Sequence, residues 1–160
     1  MDSIDEKILD LIKGNARMSY QELGEKLGMS RVAAKKRVSR LEQAGIIRGY
    51  NTCIYRDDEV TLFIDLVTKP EAFDRVLEYI STRTAFVRQI FTTTKANHIH
   101  MVAVSDSVND LKYLTKMIQK KCGDDLTEIK CHAVKEIVKD VYGGVKYERK
   151  SVSDDERDNG

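Results

Sequence analysis

Five basic side chains, Arg31, Lys35, Lys36, Arg37 and Arg40, stand within ten residues with no acidic residue among them. Cations at that density suit a polyanion, because they neutralise phosphates and release the counterions condensed on them. At about 100° per residue, Ala34, Val38 and Leu41 share one narrow stripe. Val32, Lys36, Ser39, Arg40 and Gln43 point the opposite way, and Arg31, Lys35 and Arg37 flank the two faces. A helix divided like this buries its stripe and turns its polar face to DNA. Lys35, Lys36, Arg37 and Arg40 are expected on phosphates. Ser30, Arg31, Val32, Lys36 and Ser39 are expected at base edges, with Arg31 or Lys36 reading guanine and Val32 meeting a thymine methyl. The small Ala33 and Ala34 let the backbone approach closely. The chain of 160 residues has a net charge of only +1, so the case for nucleic acid rests on this local bias and not on overall charge.

Three helices are needed to position that face. The first is expected over residues 3–13, with Ser3 and Glu6 as a capping box and Ile4, Ile8, Leu11 and Ile12 on one side. Gly14-Asn15 stops it. A second capping box, Ser19 with Glu22, opens a short helix carrying Leu23 and Leu27. Gly28 ends that helix, Met29 plugs the turn, and Ser30 caps the third helix, residues 31–44, which Gly45 stops. Two short helices joined by a Gly-containing turn predict a helix-turn-helix. Ile46-Ile47-Arg48-Gly49-Tyr50 reads as a short strand or wing. Arg48 there either reaches DNA or remains a free surface charge.

Residues 2–50 resemble the DNA-binding domain of the Lrp/AsnC (leucine-responsive, feast/famine) transcriptional regulators. The resemblance is carried by Asp5-Glu6-Lys7-Ile8-Leu9, Asn15-Ala16-Arg17-Met18-Ser19-Tyr20, Glu22-Leu23, Leu27-Gly28-Met29-Ser30, Arg37-Val38 and the run from Leu41 to Tyr50. It implies a sequence-specific regulator with a C-terminal ACT/RAM-like domain, assembled as dimers or higher oligomers and in some members tuned by a small molecule. The family's connector ends in a Leu-Gly pair, which this chain lacks.

The second half alternates. A strand over residues 60–68 has Leu62, Ile64 and Leu66 on one face and Phe63 and Val67 on the other. Pro70 opens a helix over residues 71–83 with Phe73, Val76, Leu77 and Ile80 in a stripe. Strands over 86–93 and 98–104 are joined by Thr94-Lys95-Ala96-Asn97. A helix over 108–121 buries Leu111, Leu114 and Ile118 and stops at Gly123, and a last strand runs over 126–138, before Tyr142-Gly143-Gly144. The order β-α-β-β-α-β predicts a ferredoxin-like unit, so the whole chain is α+β. Both sheet faces carry apolar residues, and only one can be covered by the helices. A second copy is the simplest cover for the other, which predicts a homodimer. The expected organisation is a DNA-binding domain over 1–50, a linker over 51–59, a dimerisation domain over 60–145 and a disordered acidic tail over 146–160.

The family's effector site lies largely at the hairpin between the second and third strands, where a Gly and then an Asp are usual. The matching stretch here contains neither, so Thr94, Lys95, Asn97 and His98 are the expected effector residues, for a ligand other than a plain amino acid or for none. His98 and His100 share a strand face and His132 lies on the last strand, but no metal site is expected because no carboxylate or thiol stands firmly beside them. GxSxG, Walker, GxGxxG and HExxH patterns are missing, so neither enzyme activity nor a cofactor is expected. Sirohaem decarboxylases share the two-domain resemblance and are the enzymatic alternative; the basic stripe argues against them. A third reading is a partner-binding protein with a vestigial helix-turn-helix. No apolar run is long enough to span a bilayer and the N-terminus does not resemble a signal peptide. The odd set Cys53, Cys122 and Cys131 fits reduced thiols, so a cytoplasmic location is expected.

Overall fold

Capping chemistry sets where the helices of the N-terminal half begin. The computed structural model describes residues 1–52, 54, 56–141 and 144–147. Expectations for Cys53, Tyr142-Gly143 and the tail beyond 147 lie outside them. The first helix, α1, runs Ser3–Gly14, but its cap is Asp2 and not Ser3. The Asp2 carboxylate accepts the amides of Ile4 and Asp5 at 3.0 and 2.9 Å, and Asp5 accepts the Asp2 amide in return. The expected Ser3–Glu6 box is therefore displaced by one residue. A carboxylate accepts two amides and carries the charge that suits a helix N-terminus, both of which Ser3 lacks.

Helix α2, Tyr20–Leu27, begins with the expected Ser19–Glu22 box. Helix α3, Arg31–Gln43, begins with Ser30, whose hydroxyl accepts the Ala33 amide at 3.2 Å. Between them Gly28 sits at φ 66° and the Met29 amide returns to the Gly24 carbonyl at 2.9 Å, closing α2 with a left-handed cap. Ile8, Leu23, Ala34, Val38 and Leu41 form the buried centre of this unit, with Ile12, Met18, Met29 and Ile47 packed against it. Ile46–Tyr50, where a short strand was expected, forms none. The Ile46 and Ile47 amides both turn back to the Leu41 carbonyl, at 3.0 and 3.2 Å, and Ile47 joins the core. Those bonds close the α3 terminus and leave these amides unavailable to a ladder.

The second compact unit, Tyr55–Ile137, is built on a four-stranded antiparallel sheet. Its elements are β1 (Val60–Thr68), α4 (Phe73–Arg83), β2 (Val87–Thr92), β3 (His98–Ser105), α5 (Val108–Cys122) and β4 (Leu126–Ala133). The strand order β2-β3-β1-β4 is that of a ferredoxin-like βαββαβ unit. Ile64, Leu66, Ile99, Met101 and Ala103 face Val76 and Ile80 of α4 and Leu111, Leu114 and Ile118 of α5. Pro70 opens a 3-10 turn, Pro70–Ala72, so α4 starts at Phe73 rather than at residue 71. Strand β4 stops at Ala133, five residues short of the expected end. Its partner β1 begins at Val60, and the Val134 amide makes the last bond, to Thr61. Gly123 keeps an ordinary right-handed φ of −53° and leads into a 3-10 turn, Gly123–Asp125, instead of a left-handed cap.

The register fixes what the other sheet face presents. Asp65 lies opposite His100 and Lys130, Phe63 opposite Val102 and His132, and Val67 opposite His98 and Glu128. Phe91 extends the His100 row onto β2. Phe63 and Phe91 are 38% and 47% exposed, so large apolar rings remain on this face among histidines and a balanced set of charges.

Gly24 is the tightest backbone approach in the helix-turn-helix: a Cβ there would meet the Met29 carbonyl oxygen at 2.6 Å. Gly24→Ala is expected to destabilise the N-terminal unit by about 1–3 kcal/mol, as overpacking against backbone does. Thermal unfolding followed by helix circular dichroism checks this; an unchanged or raised midpoint would refute the tight turn.

Candidate nucleic-acid interface

The α3 surface divides more sharply than its sequence suggests. Ala34, Val38 and Leu41 are buried as expected, and Val32 is 76% exposed at the N-terminal end of the helix. Lys35 and Lys36 are exposed and make no ion pair among the described residues. Arg48 is likewise exposed, on the extended chain after α3. Ser39 is half-buried on the same side as Lys36. Ser30 uses its hydroxyl to cap α3, which leaves its backbone at the helix entrance.

Arg37 and Arg40 are occupied. Arg37 Nη1 donates to Asp2 Oδ2 at 2.7 Å and to Asp5 Oδ1 at 2.8 Å, and Arg40 Nη2 donates to Asp5 Oδ2 at 2.7 Å. Asp5 is only 1% exposed, and its two oxygens are filled by two guanidinium groups and the Asp2 amide. The Arg37 hydrogen bond, helped by the Asp5 amide, holds the Asp2 carboxyl down at about 2. Burial pushes the Asp5 carboxyl up, but the Asp2 amide, Arg37 and Arg40 outweigh it and keep it below the usual carboxylate range. Bonds to Asp2 and Asp5 raise the Arg37 guanidinium in turn. Charge-assisted bonds of this length are stronger than neutral ones.

Arg31 takes a third position. It lies beside Val38 on the flank of α3 turned towards α2, lining a cleft of about 370 Å³ with Ile12, Met18, Tyr20 and Tyr50. The structure thus brings Val32, Lys35, Lys36 and Ser39 onto one outward surface, sets Arg31 at its margin, leaves Arg48 exposed on the chain after the helix, and ties Arg37 and Arg40 back to α1. Asp2 and Asp5 were not among the candidate capping or DNA-contacting residues expected from the sequence. Their signal was present: two carboxylates three apart at a helix start, matched by two arginines three apart on another helix.

At the β2–β3 hairpin, Asn97 turns the chain at φ 54° and its carbonyl accepts the Thr68 amide at 2.9 Å. Lys95 Nζ reaches Glu128 at 3.5 Å. His98 Nδ1 lies 2.7 Å from Thr93 Oγ1. The carboxylate that the hairpin itself lacks stands one strand away. Asp65 Oδ1 accepts from His98 Nε2 at 3.1 Å and from His100 Nδ1 at 2.8 Å. Burial raises the Asp65 carboxyl, and the bonds and charge of His100 and His98 more than offset this, so it sits below its usual range. Phe63 and Phe91 flank the His100 ring at centroid distances of 5.4 and 6.2 Å. His132 shares this face opposite Phe63, and Cys131 points the other way, opposite Ile64. Among the described residues no three His, Cys, Asp or Glu side chains are grouped to hold a metal ion.

A capped helix-turn-helix with free lysines on its outward face, followed by a ferredoxin-like unit, defines a class of DNA-binding regulators. Residues 1–48 match a family signature described as "Winged helix-turn-helix DNA-binding". The HTH-type transcriptional regulator Ptr1 of Methanocaldococcus jannaschii is 31% identical over 74% of this chain and 82% of its own. LrpA of Pyrococcus horikoshii is 30% identical over 84% of this chain and 95% of its own. The structure of E. coli AsnC superposes with a TM-score of 0.71 at 26% identity, covering 86% of this chain and 93% of that one. The chain belongs to the Lrp/AsnC family of HTH-type transcriptional regulators. Relatives named as regulators support DNA binding over the decarboxylase alternative. No helix of the described residues is long and apolar enough to cross a membrane.

The Asp2–Asp5–Arg37 network gives a signed pH dependence. Carboxyls lowered on folding stabilise the native state above their unfolded values, and that contribution is lost as pH falls through the folded values. The stability of the N-terminal unit should therefore not change through this network down to about pH 4, and should fall from there towards the Asp2 value of about 2. Urea unfolding across that range, with Asp2→Asn as reference, is the check. Equal acid sensitivity in the variant would remove Asp2 from the account.

Proposed function

We propose that this regulator reads DNA by laying α3 in the major groove, with Lys36, Val32 and Ser39 at base edges and Lys35 and Arg48 on phosphates. The observation that carries the reading is the pairing of a buried Ala34/Val38/Leu41 stripe with two unpaired lysines on the opposite side. Ser30 sits at the helix entrance, where backbone amides meet phosphate. Arg31 approaches from the margin, which makes Lys36 the better guanine reader. Arg40, 60% exposed, is bonded to Asp5 and Arg37 to both Asp2 and Asp5, so neither is assigned to phosphate. Lys35→Ala should reduce the slope of log affinity against log salt by about 0.9, the value of one phosphate contact. Fluorescence anisotropy of a labelled duplex measures it, and an unchanged slope would count against the assignment of α3.

The C-terminal unit supports a homodimer through the sheet face that carries Phe63, Val67, Phe91 and Val102. Rings this exposed, set among charges that balance, suit a self-complementary interface. Two copies would then present two recognition helices to two half-sites. Phe63→Glu should give a monomer in sedimentation with its helix content intact; a dimer that survives the change would rule this face out. Any small-molecule effector is assigned to Thr94, Lys95, Asn97 and His98, where Lys95 and the Asp65-bound His98 favour an anionic or mixed-charge ligand over a free amino group. The setting is the cytoplasm, where DNA is reached and thiols remain reduced.

A further inference from the structure

The role of Asp5 extends beyond bracing the fold. Of the five cations counted on α3, two are spent on α1. Arg37 is bound by both Asp2 and Asp5, and Arg40 by Asp5. The two carboxylates do not lie on α3 itself and are distant in sequence, with separations of 32 to 35 residues. A brace for α1 against α3 does not require charge, because Ile8, Leu23, Val38 and Leu41 already pack the helices together. What the carboxylates do to the outward surface is electrostatic. They remove up to two positive charges from the edge of the recognition face and leave Lys35 and Lys36 free.

We infer that Asp5, with Asp2, tunes the electrostatic affinity of the DNA-binding unit: it withholds Arg37 and Arg40 from phosphate, so that sequence-independent attraction stays low. The inference rests on the assignment of α3 as the recognition helix. Phosphate contacts supply affinity without sequence information, whereas base-edge contacts supply discrimination. A protein with only a few free cations therefore draws less of its affinity from sequence-independent contacts. Neutralising Asp5 would release Arg40, 60% exposed and next to the free lysines, to the nearest phosphate. Asp2 would still hold Arg37.

The test uses the full chain on two duplexes, one selected from a random pool as a tight binder and one of scrambled sequence. Asp5→Asn preserves shape and the acceptor for the Asp2 amide while removing the charge. It is expected to steepen the salt slope on both duplexes by about 0.9 and to tighten both to a similar extent, by roughly five- to tenfold. A purely structural Asp5 would instead weaken both duplexes in proportion with an unchanged or shallower slope, and that result overturns the inference. Should Asp5→Asn lose its helix signal, the double change Asp2→Asn with Arg37→Gln serves. It removes one carboxylate and one guanidinium together, and keeps Asp5 on Arg40. The salt slope of that pair variant should match the original chain; a drop of about 0.9 would place Arg37 on phosphate and end the proposal. Lys35→Ala separates the two readings. If it leaves the slope unchanged, the α3 assignment fails and takes this inference with it. If it lowers the slope while Asp5→Asn does not raise it, only the inference fails.

Discussion

A carboxylate that is almost wholly buried must be compensated, or it forces its own neutralisation or exposure. Asp5 meets this constraint with two guanidinium groups from α3 and one amide from its own helix turn. Each of those partners is thereby fixed. Arg37 and Arg40 are tied to α1 along one flank of α3, and the Asp2 amide closes the start of α1. Ala34, Val38 and Leu41 face the core, and Val32, Lys36 and Ser39 face outward. The ion pairs and the apolar stripe therefore agree on one orientation of the helix.

The turn before α3 works to the same end by sterics. Gly24 lets the Met29 carbonyl come within a distance that no Cβ would tolerate, and Gly28 supplies the left-handed cap. Ser30 then starts α3 at a defined residue. Ion pairs at one end of α1 and a tight turn at the end of α2 hold α3 from two directions. The orientation does not depend on Lys35 and Lys36, which are exposed and make no ion pair among the described residues.

Much of this was legible in the sequence, because the relevant signals are local and periodic. Ser19 with Glu22, Gly28, Ser30 and the Ala34/Val38/Leu41 stripe each follow from rules that operate over a few residues, and each is found as expected. Local reading failed where the outcome depends on what a residue meets across the fold. Asp2 displaced Ser3 as a cap partly because Arg37 stabilises it. Arg37 and Arg40 looked like free cations because their partners are more than thirty residues away. Ile46–Ile47 looked like a strand, but a strand needs a neighbour and these amides had Leu41. Strand β4 stopped early because its length is set by β1 and not by its own apolar pattern. His98 and His100 were placed on one strand face correctly, yet the carboxylate that organises them, Asp65, was visible only once β1 and β3 were in register.

The sheet unit obeys a comparable constraint. Its core face is complete, with both helices packed on it, and its other face combines exposed rings with paired charges. Pairing through that face would turn one reading helix into two with a fixed spacing, which is how a small domain obtains specificity from few base contacts. The most direct test of the account is selection of bound duplexes from a random pool by the full chain. The account expects enrichment of a near-palindrome whose half-sites lie about one helical turn apart, roughly 10 bp centre to centre, or a multiple of it. Recovery of duplexes with no common motif, or of a single unpaired half-site, would contradict it.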